Sequence, residues 1–245
     1  MTGTGLRDVA RMVREAKHVV VFTGAGISVE SGIPPFRGPE GLWSRYDPSC
    51  LDLTRFYADP AAAWVIIREI FYDFFGQARP NAAHEVVAAL EDRGIVKAVI
   101  TQNIDNLHQD AGSREVIEFH GTASTLLCVD CGHRVPAAAV DLAKLPPQCM
   151  HCGGVCKPDF IFFGEPIPEE AHRRALHHTE AADLFLVIGT TGEIMPASML
   201  PVAAFQNGAR IIEVNVRPSR YTDDITQVFL QGPATVVMEA LLSEI

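Results

Sequence analysis

No apolar run in this sequence is long enough to cross a bilayer: Leu184-Phe185-Leu186-Val187-Ile188 is bounded by polar or small residues, whereas a span needs about 20 residues. There is no excess of positive charge either. Lys and Arg number 20 against 30 Asp and Glu, a formal net charge of −10. That balance opposes stable nucleic-acid binding and favours basic partners such as a lysine-rich peptide. Residues Met1 to Asp8 carry no basic segment leading into an apolar h-region, so no secretory signal is expected and the default location is cytoplasmic. No internal repeat is present. Also missing is the usual dinucleotide fingerprint: Gly24-Ala25-Gly26 would need its third glycine at Val29, and the next one is Gly32.

The 245 residues and their 48% apolar content suit one large domain, or one domain carrying insertions, with a sizeable core. Leu6, Val9, Ala10, Val13 and Ala16 recur at helical spacing. Val19-Val20-Val21-Phe22 then reads as a buried parallel strand. It delivers Gly24-Ala25-Gly26, either a variant nucleotide loop or a tight turn. Asp59-Pro60 predicts a helix start, with aspartate as cap and proline at the first helical position. The helix from about 60 to 75 carries a Trp64, Ile67, Phe71 and Phe74 stripe; such a stripe is usually core, and here it is expected to line a groove rather than form a cofactor box by itself. Asn81 caps another helix, and further strands are expected at 95–100, 116–119, 184–188 and 211–214. Helical stretches are expected near 169–182, 197–206 and 233–242. Strands alternating with helices imply a parallel sheet covered on both faces, with ligands at the carboxyl ends of its strands. The polar exits are therefore the residues to question: Gly24–Gly26, Thr101–His108, His120-Gly121, Gly189–Gly192 and Asn215. Each alone reads as a turn or a satisfied polar group. Together the topology would place them on one edge.

Six cysteines without an export signal point to metal or chemistry before disulfides. Cys128-x-x-Cys131 and Cys149-x-x-Cys152 are 17 residues apart, within zinc-ribbon spacing. Four thiolates leave no position open for water, so the ion would be structural. His133, His151 and Cys156 lie close by and could substitute as ligands.

The motif Gly24-Ala25-Gly26-x-Ser28-x-x-Ser31-Gly32-Ile33-Pro34-x-Phe36-Arg37, then Thr101-Gln102-Asn103-Ile104-Asp105-x-Leu107-His108, then His120-Gly121, resembles the sirtuins. The four cysteines, Phe163-Gly164-Glu165, Gly189-Thr190-Thr191 and Asn215 follow in that family's order. The resemblance implies an α/β fold: a Rossmann-like, NAD-binding domain from segments 1–39, 81–122 and 160–245, a helical module at 40–80, and a zinc-binding ribbon at 123–159. It implies NAD as co-substrate, one structural zinc ion, and acylated lysine-containing proteins as partners. The pattern fixes no oligomeric state.

The implied reaction moves a lysine's acyl group to ADP-ribose. The acyl oxygen attacks the ribose carbon as nicotinamide leaves, and His120 then acts as general base toward a ribose hydroxyl. Asn103 joins His120 as catalytic, and forms the nicotinamide pocket with Ile104 and Asp105. By the same resemblance, Gln102 and Ser28 contact the ribose region, and Ala25, Gly26 and Arg37 bind the pyrophosphate. Phe36 shields the reactive carbon, while Thr190, Thr191 and Asn215 hold the adenosine half. Gly24, Glu30, Gly189 and Ala234 complete the cofactor contacts, and Phe163, Gly164 and Glu165 pair with the substrate backbone as an added strand. Family members that remove malonyl or succinyl groups carry a Tyr-x-x-Arg pair where Ile67 and Ile70 stand, so neutral acyl groups are expected. Pro35, Cys156 and Gly192-Glu193 depart from the family's usual residues.

Other readings are ADP-ribose transfer to protein or water by the same site, a non-enzymatic zinc-ribbon module, and an ordinary NAD oxidoreductase. The ribbon module leaves Gln102–Asp105 and His120 without a role, and the oxidoreductase is opposed by the glycine spacing.

Overall fold

The computed structural model describes residues 3–36 and 41–245. Helix α1 (Gly3–Glu15) leads into strand β1 (Val19–Thr23), every residue of which is buried. Strands β2 (Val96–Thr101), β3 (Val116–Glu118), β7 (Leu184–Ile188), β8 (Arg210–Asn215) and β9 (Thr226–Gln231) join it in a six-stranded parallel sheet of order 3-2-1-7-8-9. β-Branched and aromatic side chains suit such strands because both faces are covered. Val19 and Val21 face a core built with α1, α4 (Ala82–Asp92) and α8 (Ala234–Glu244). Val20 and Phe22 face the opposite one, with α6 (Glu169–Ala181) and α7 (Met199–Gln206). The period of two along β1 thus supplies both layers at once.

Between β3 and α6, strands β4 (Gly121–Cys128), β5 (Arg134–Pro136) and β6 (Cys156–Phe160) form a separate antiparallel sheet of order 5-4-6. Between β1 and α4 lie short helices, including α2 (Leu53–Ala58) and α3 (Pro60–Ile67), and the one-turn helix α5 (Leu107–Asp110) follows β2. Asp59 caps α3 by accepting the Ala62 N–H at 3.0 Å. The α-helix stops sooner than its sequence suggests, passing into a π-helical stretch at Arg68–Phe74.

The stripe expected to line a groove is instead core. Trp64, Ile67 and Phe71 are buried together with Leu126, Cys156 and Phe160 from the antiparallel sheet and Phe162 just beyond it, while Phe74 is exposed. The Trp64 indole N–H donates to the Cys156 carbonyl at 2.7 Å, and the Tyr72 hydroxyl donates to that of Ala123 at 3.0 Å. The two inserted segments therefore share one hydrophobic core. At about 1.5–3 kcal/mol per large side chain buried, that shared core fixes their mutual position.

Candidate active site

Strands β1 and β7 are neighbours whose chains leave toward opposite flanks of the sheet. That switch point opens a crevice at the strand ends. There the two exit loops touch through bare backbone: the Gly26 N–H donates to the Gly189 carbonyl at 2.8 Å. A Cβ on Gly26 would lie 2.6 Å from the Gly189 Cα, so no side chain fits between them. The chain then turns through a short 3-10 helix, Ala25–Ser31, rather than a long α-helix. The other exits are tied to this pair by side chains. Gln102 Nε2 donates to Thr190 Oγ1 at 3.1 Å, and Asn215 Nδ2 donates to the Thr190 carbonyl at 2.8 Å. The exits of β2 and β8 are thus tied to Thr190 at the end of β7, beside the loop that follows β1, so these four strand exits lie together on one edge of the sheet.

Next to these loops a small cleft is lined by Ala25, Ser28, Ile33, Phe36, Phe75, Asn103, Ile104 and Asp105. Its polar groups have defined orientations. Asn103 Nδ2 donates to the Gly24 carbonyl and to Ser28 Oγ, each at 3.2 Å, which turns its amide oxygen the other way as a free acceptor. Ser28 donates its proton to Asp105 Oδ2 at 2.7 Å, and the other Asp105 oxygen accepts the Leu107 N–H at 3.1 Å. Burial raises the Asp105 pKa, and the Ser28 and Leu107 hydrogen bonds oppose that shift. The cleft is thus apolar walls around one carboxyl and one amide oxygen.

His120 follows β3. Its Nδ1 lies 3.0 Å from the Gln102 carbonyl, which can only accept, so Nδ1 carries the proton and Nε2 keeps its lone pair. Burial lowers the His120 pKa, the bond to Gln102 pulling the other way. This is a half-buried imidazole, neutral near pH 7, whose basic nitrogen has no partner among the described residues.

The Sir2 family profile matches residues 24–196, which include the cleft, His120 and the Gly189–Thr190 loop. The NAD-dependent protein deacylase 2 of Pyrobaculum aerophilum is 46% identical over 242 residues, covering 97% of this chain and 95% of that protein. The chain belongs to the Sir2 family. A solved Sir2–p53 peptide–NAD+ complex superposes with a TM-score of 0.89 at 34% identity, covering 98% of both chains. A Sir2 complex with deacetylated p53 peptide and 3'-O-acetyl ADP ribose does so with a TM-score of 0.91, also at 34% identity and 98% of both chains.

In this Sir2-family chain the cysteine sulfurs of Cys128, Cys131, Cys149 and Cys152 all lie within 4.8 Å of one another, and none forms a disulfide. Cys128 Sγ is 3.5 Å from Cys152 Sγ, and Cys131 Sγ is 3.8 Å from Cys149 Sγ. A tetrahedron with Zn–S of about 2.3 Å has edges of about 3.8 Å. The donor set fits one structural zinc. Backbone N–H groups support the thiolates: His151 N–H points to Cys149 Sγ and Gly154 N–H to Cys152 Sγ, each at 3.4 Å. Cys156 falls outside the four, and the His133 and His151 rings stack on each other at 5.9 Å.

Several expected site residues have other partners. Glu30 accepts the N–H and hydroxyl of Thr235 at 3.0 and 2.8 Å, capping the helix that starts at Ala234. Thr191 is exposed, and its carbonyl receives the Arg220 N–H at 3.1 Å. Arg37 lies outside the described residues. Phe163 has both backbone groups engaged, its N–H with Leu51 at 2.8 Å and its carbonyl with Leu53 at 3.2 Å. On this exposed turn, Gly164 alone keeps both backbone groups unpaired among the described residues.

Sequence reasoning missed the layer beneath the cleft. His84 is fully buried with its Nε2 3.5 Å from Ser28 Oγ, and its Nδ1 accepts the Asn81 N–H at 3.3 Å in a capping box. The only sequence signal was a histidine three residues after a helix cap. His108 Nε2 donates to Thr23 Oγ1 at 3.0 Å, which in turn donates to Thr101 Oγ1 at 2.8 Å. Thr101 Oγ1 accepts the Asn103 N–H at 3.1 Å. A buried hydroxyl relay thus holds Asn103 in place. Ile33 and Phe75, which line the cleft, were likewise not assigned a site role.

Proposed function

We propose that this chain removes acetyl and other neutral acyl groups from protein lysine side chains, consuming NAD and releasing nicotinamide and O-acyl-ADP-ribose. One observation carries this reading: an imidazole with a free Nε2 stands one hydrogen bond from the segment that lines the apolar cleft, through Gln102, the neighbour of Asn103. A general base needs an unengaged lone pair and must stand unprotonated before it acts; among the described residues the His120 Nε2 has no partner, and the burial that lowers its pKa favours the neutral ring. NAD supplies the electrophilic ribose carbon when bound. The amide oxygen of Asn103 and the carboxyl of Asp105 are placed to hold a small amide-bearing ring between Ile33, Phe36 and Ile104. Ser28 orients both groups at once, so it acts as the hinge of the polar floor. The crosslinked exits at Gly26, Gln102, Thr190 and Asn215 would receive the phosphates and adenosine.

The domain division proposed from the sequence agrees with two sheets of different kind, although the inserts share a core. Zinc would hold the ribbon, away from the chemistry. The substrate backbone would pair with Gly164, since Phe163 is occupied on its other edge. Ile67 and Ile70 are 0% and 1% exposed and carry no charge toward an acyl carboxylate, which supports neutral acyl groups. The acidic total favours basic protein substrates over nucleic acid. Among the described residues no helix is long and apolar enough to cross a membrane; the cytoplasm is the proposed location.

The test is mass spectrometry of acetyl-, longer acyl- and succinyl-lysine peptides incubated with enzyme, with and without NAD. Loss of neutral acyl groups with nicotinamide release is expected only when NAD is present. Gain of ADP-ribose on protein, with the acyl group retained, would establish the transferase reading instead.

A further inference from the structure

The turn that presents Gly164 is held from beneath by a buried ammonium. Lys157, on β6, is only 4% exposed. Its Nζ donates to the Pro158 carbonyl at 3.0 Å and the Phe160 carbonyl at 2.9 Å, and lies 2.9 Å from Glu165 Oε2. It also sits 4.5 Å from the centre of the Phe162 ring. All three ammonium donors are therefore used. Glu165 is fixed in turn. Its Oε2 also accepts the Phe162 N–H at 2.6 Å, and its own N–H donates to the Phe162 carbonyl at 3.0 Å. Main chain and side chain together close the turn Phe162–Glu165, with Gly164 at φ +97° in the third position.

This turn has one filled edge and one open one. Phe163 is bonded to Leu51 and Leu53, whereas the N–H and carbonyl of the exposed Gly164 have no partner among the described residues. The Phe163 ring beside them is 53% exposed. We propose that Lys157 is the positioning residue for substrate: by clamping Glu165 it sets the open edge of the turn on which the acylated peptide lies. The clamp has a second consequence. Because Lys157 neutralises the Glu165 carboxylate through Oε2, the pull of that carboxylate on a basic neighbour of the acylated lysine is weakened. Recognition then rests on main-chain pairing and ring contact, which tolerate varied flanking sequences.

This inference rests on the deacylase reading, and its test separates the two. Peptide KM, NAD KM, kcat, product-peptide affinity, zinc content and Tm would be measured for Lys157→Met, Glu165→Gln and Lys157→Arg. Removing one partner of a buried ion pair is costly, so Lys157→Met and Glu165→Gln should raise peptide KM and weaken product-peptide binding about tenfold or more. For Lys157→Met, kcat and NAD KM should stay within about twofold, and Lys157→Arg should restore most of the peptide affinity by keeping the charge. An unchanged peptide KM in both variants of active enzyme overturns the positioning role. So does a parallel fall in kcat, zinc content and NAD affinity across all three variants, since that marks a purely structural lysine. Wild-type enzyme that fails to release nicotinamide with acyl-peptide would instead refute the deacylase reading itself.

Discussion

Replacing Gly26 by alanine probes the contact on which the crevice depends. The new Cβ would stand 2.6 Å from the Gly189 Cα and 2.7 Å from its carbonyl oxygen, where ordinary contact begins at 3.4 Å. The loops after β1 and β7 must then part by about 0.8 Å, the difference between those distances. Overpacking of this kind costs about 1–3 kcal/mol, and stretching the 2.8 Å Gly26–Gly189 bond adds about 1 kcal/mol. A total of about 2–4 kcal/mol lowers Tm by about 5–15 °C in a chain of this size. The catalytic effect should exceed the effect on stability, because Gly24 also holds Asn103 and Gly189 precedes Thr190. A displacement approaching 1 Å can cost about 100-fold in rate, so kcat/KM for NAD should fall about 10- to 100-fold. The assay is nicotinamide release at saturating acyl-peptide, with melting followed in parallel. Gly5→Ala is the control, since its Cβ would meet nothing within 4 Å. If Gly26→Ala melts within about 2 °C of wild type and keeps its NAD KM, the crevice does not depend on the close backbone contact between the two loops.

His120→Ala should lose deacylation by about 100-fold or more while retaining some nicotinamide exchange, because bond cleavage at the ribose precedes the need for the base; full deacylation by the variant would remove His120 from that role. The His120 base works unprotonated and burial lowers its pKa, so activity should hold down to pH values below the ordinary imidazole midpoint near 6.5 before falling. An acid limb centred above 7 would contradict this. His84 is neutral and buried, its pKa pushed down to about 4. The unfolded chain therefore takes up protons first, and on the order of 3 kcal/mol of stability should be lost as pH falls from about 6.5 to 4; His84→Asn should flatten that part of the melting profile. Cys128→Ala should bind no zinc and melt several degrees lower, since the metal contributes folding energy. Equal Tm values with and without the metal would rule out a structural zinc.

Local pattern made much of this protein legible. Val19–Phe22 and Leu184–Ile188 could be read as strands because residues buried on both faces form unbroken apolar runs. β9 could not, since Thr226–Gln231 lies at the sheet edge with mixed burial and no such run. The ribbon strands were hidden for a related reason: β4 alternates partly exposed residues and draws its order from its partners. The Trp64–Phe71 stripe was readable as apolar and helical, but periodicity cannot say which apolar surface it meets. At the site, Asn103, Asp105 and His120 stood out by type and position, whereas His84 looked like any helix-cap neighbour.

The sequence by itself determined which residues could carry the chemistry: the thiolate pairs by their spacing, the glycines by their place after β1, and the imidazole by its place after β3. These are properties of neighbouring residues, and short-range sterics and valence fix them. Only the tertiary structure decided which backbone edges remain open, which nitrogen of His120 is basic, and that Glu30 caps α8. Those outcomes depend on hydrogen-bond partners tens to hundreds of positions away, such as Glu30 with Thr235, and such partners meet only when the packed cores set the register between distant segments.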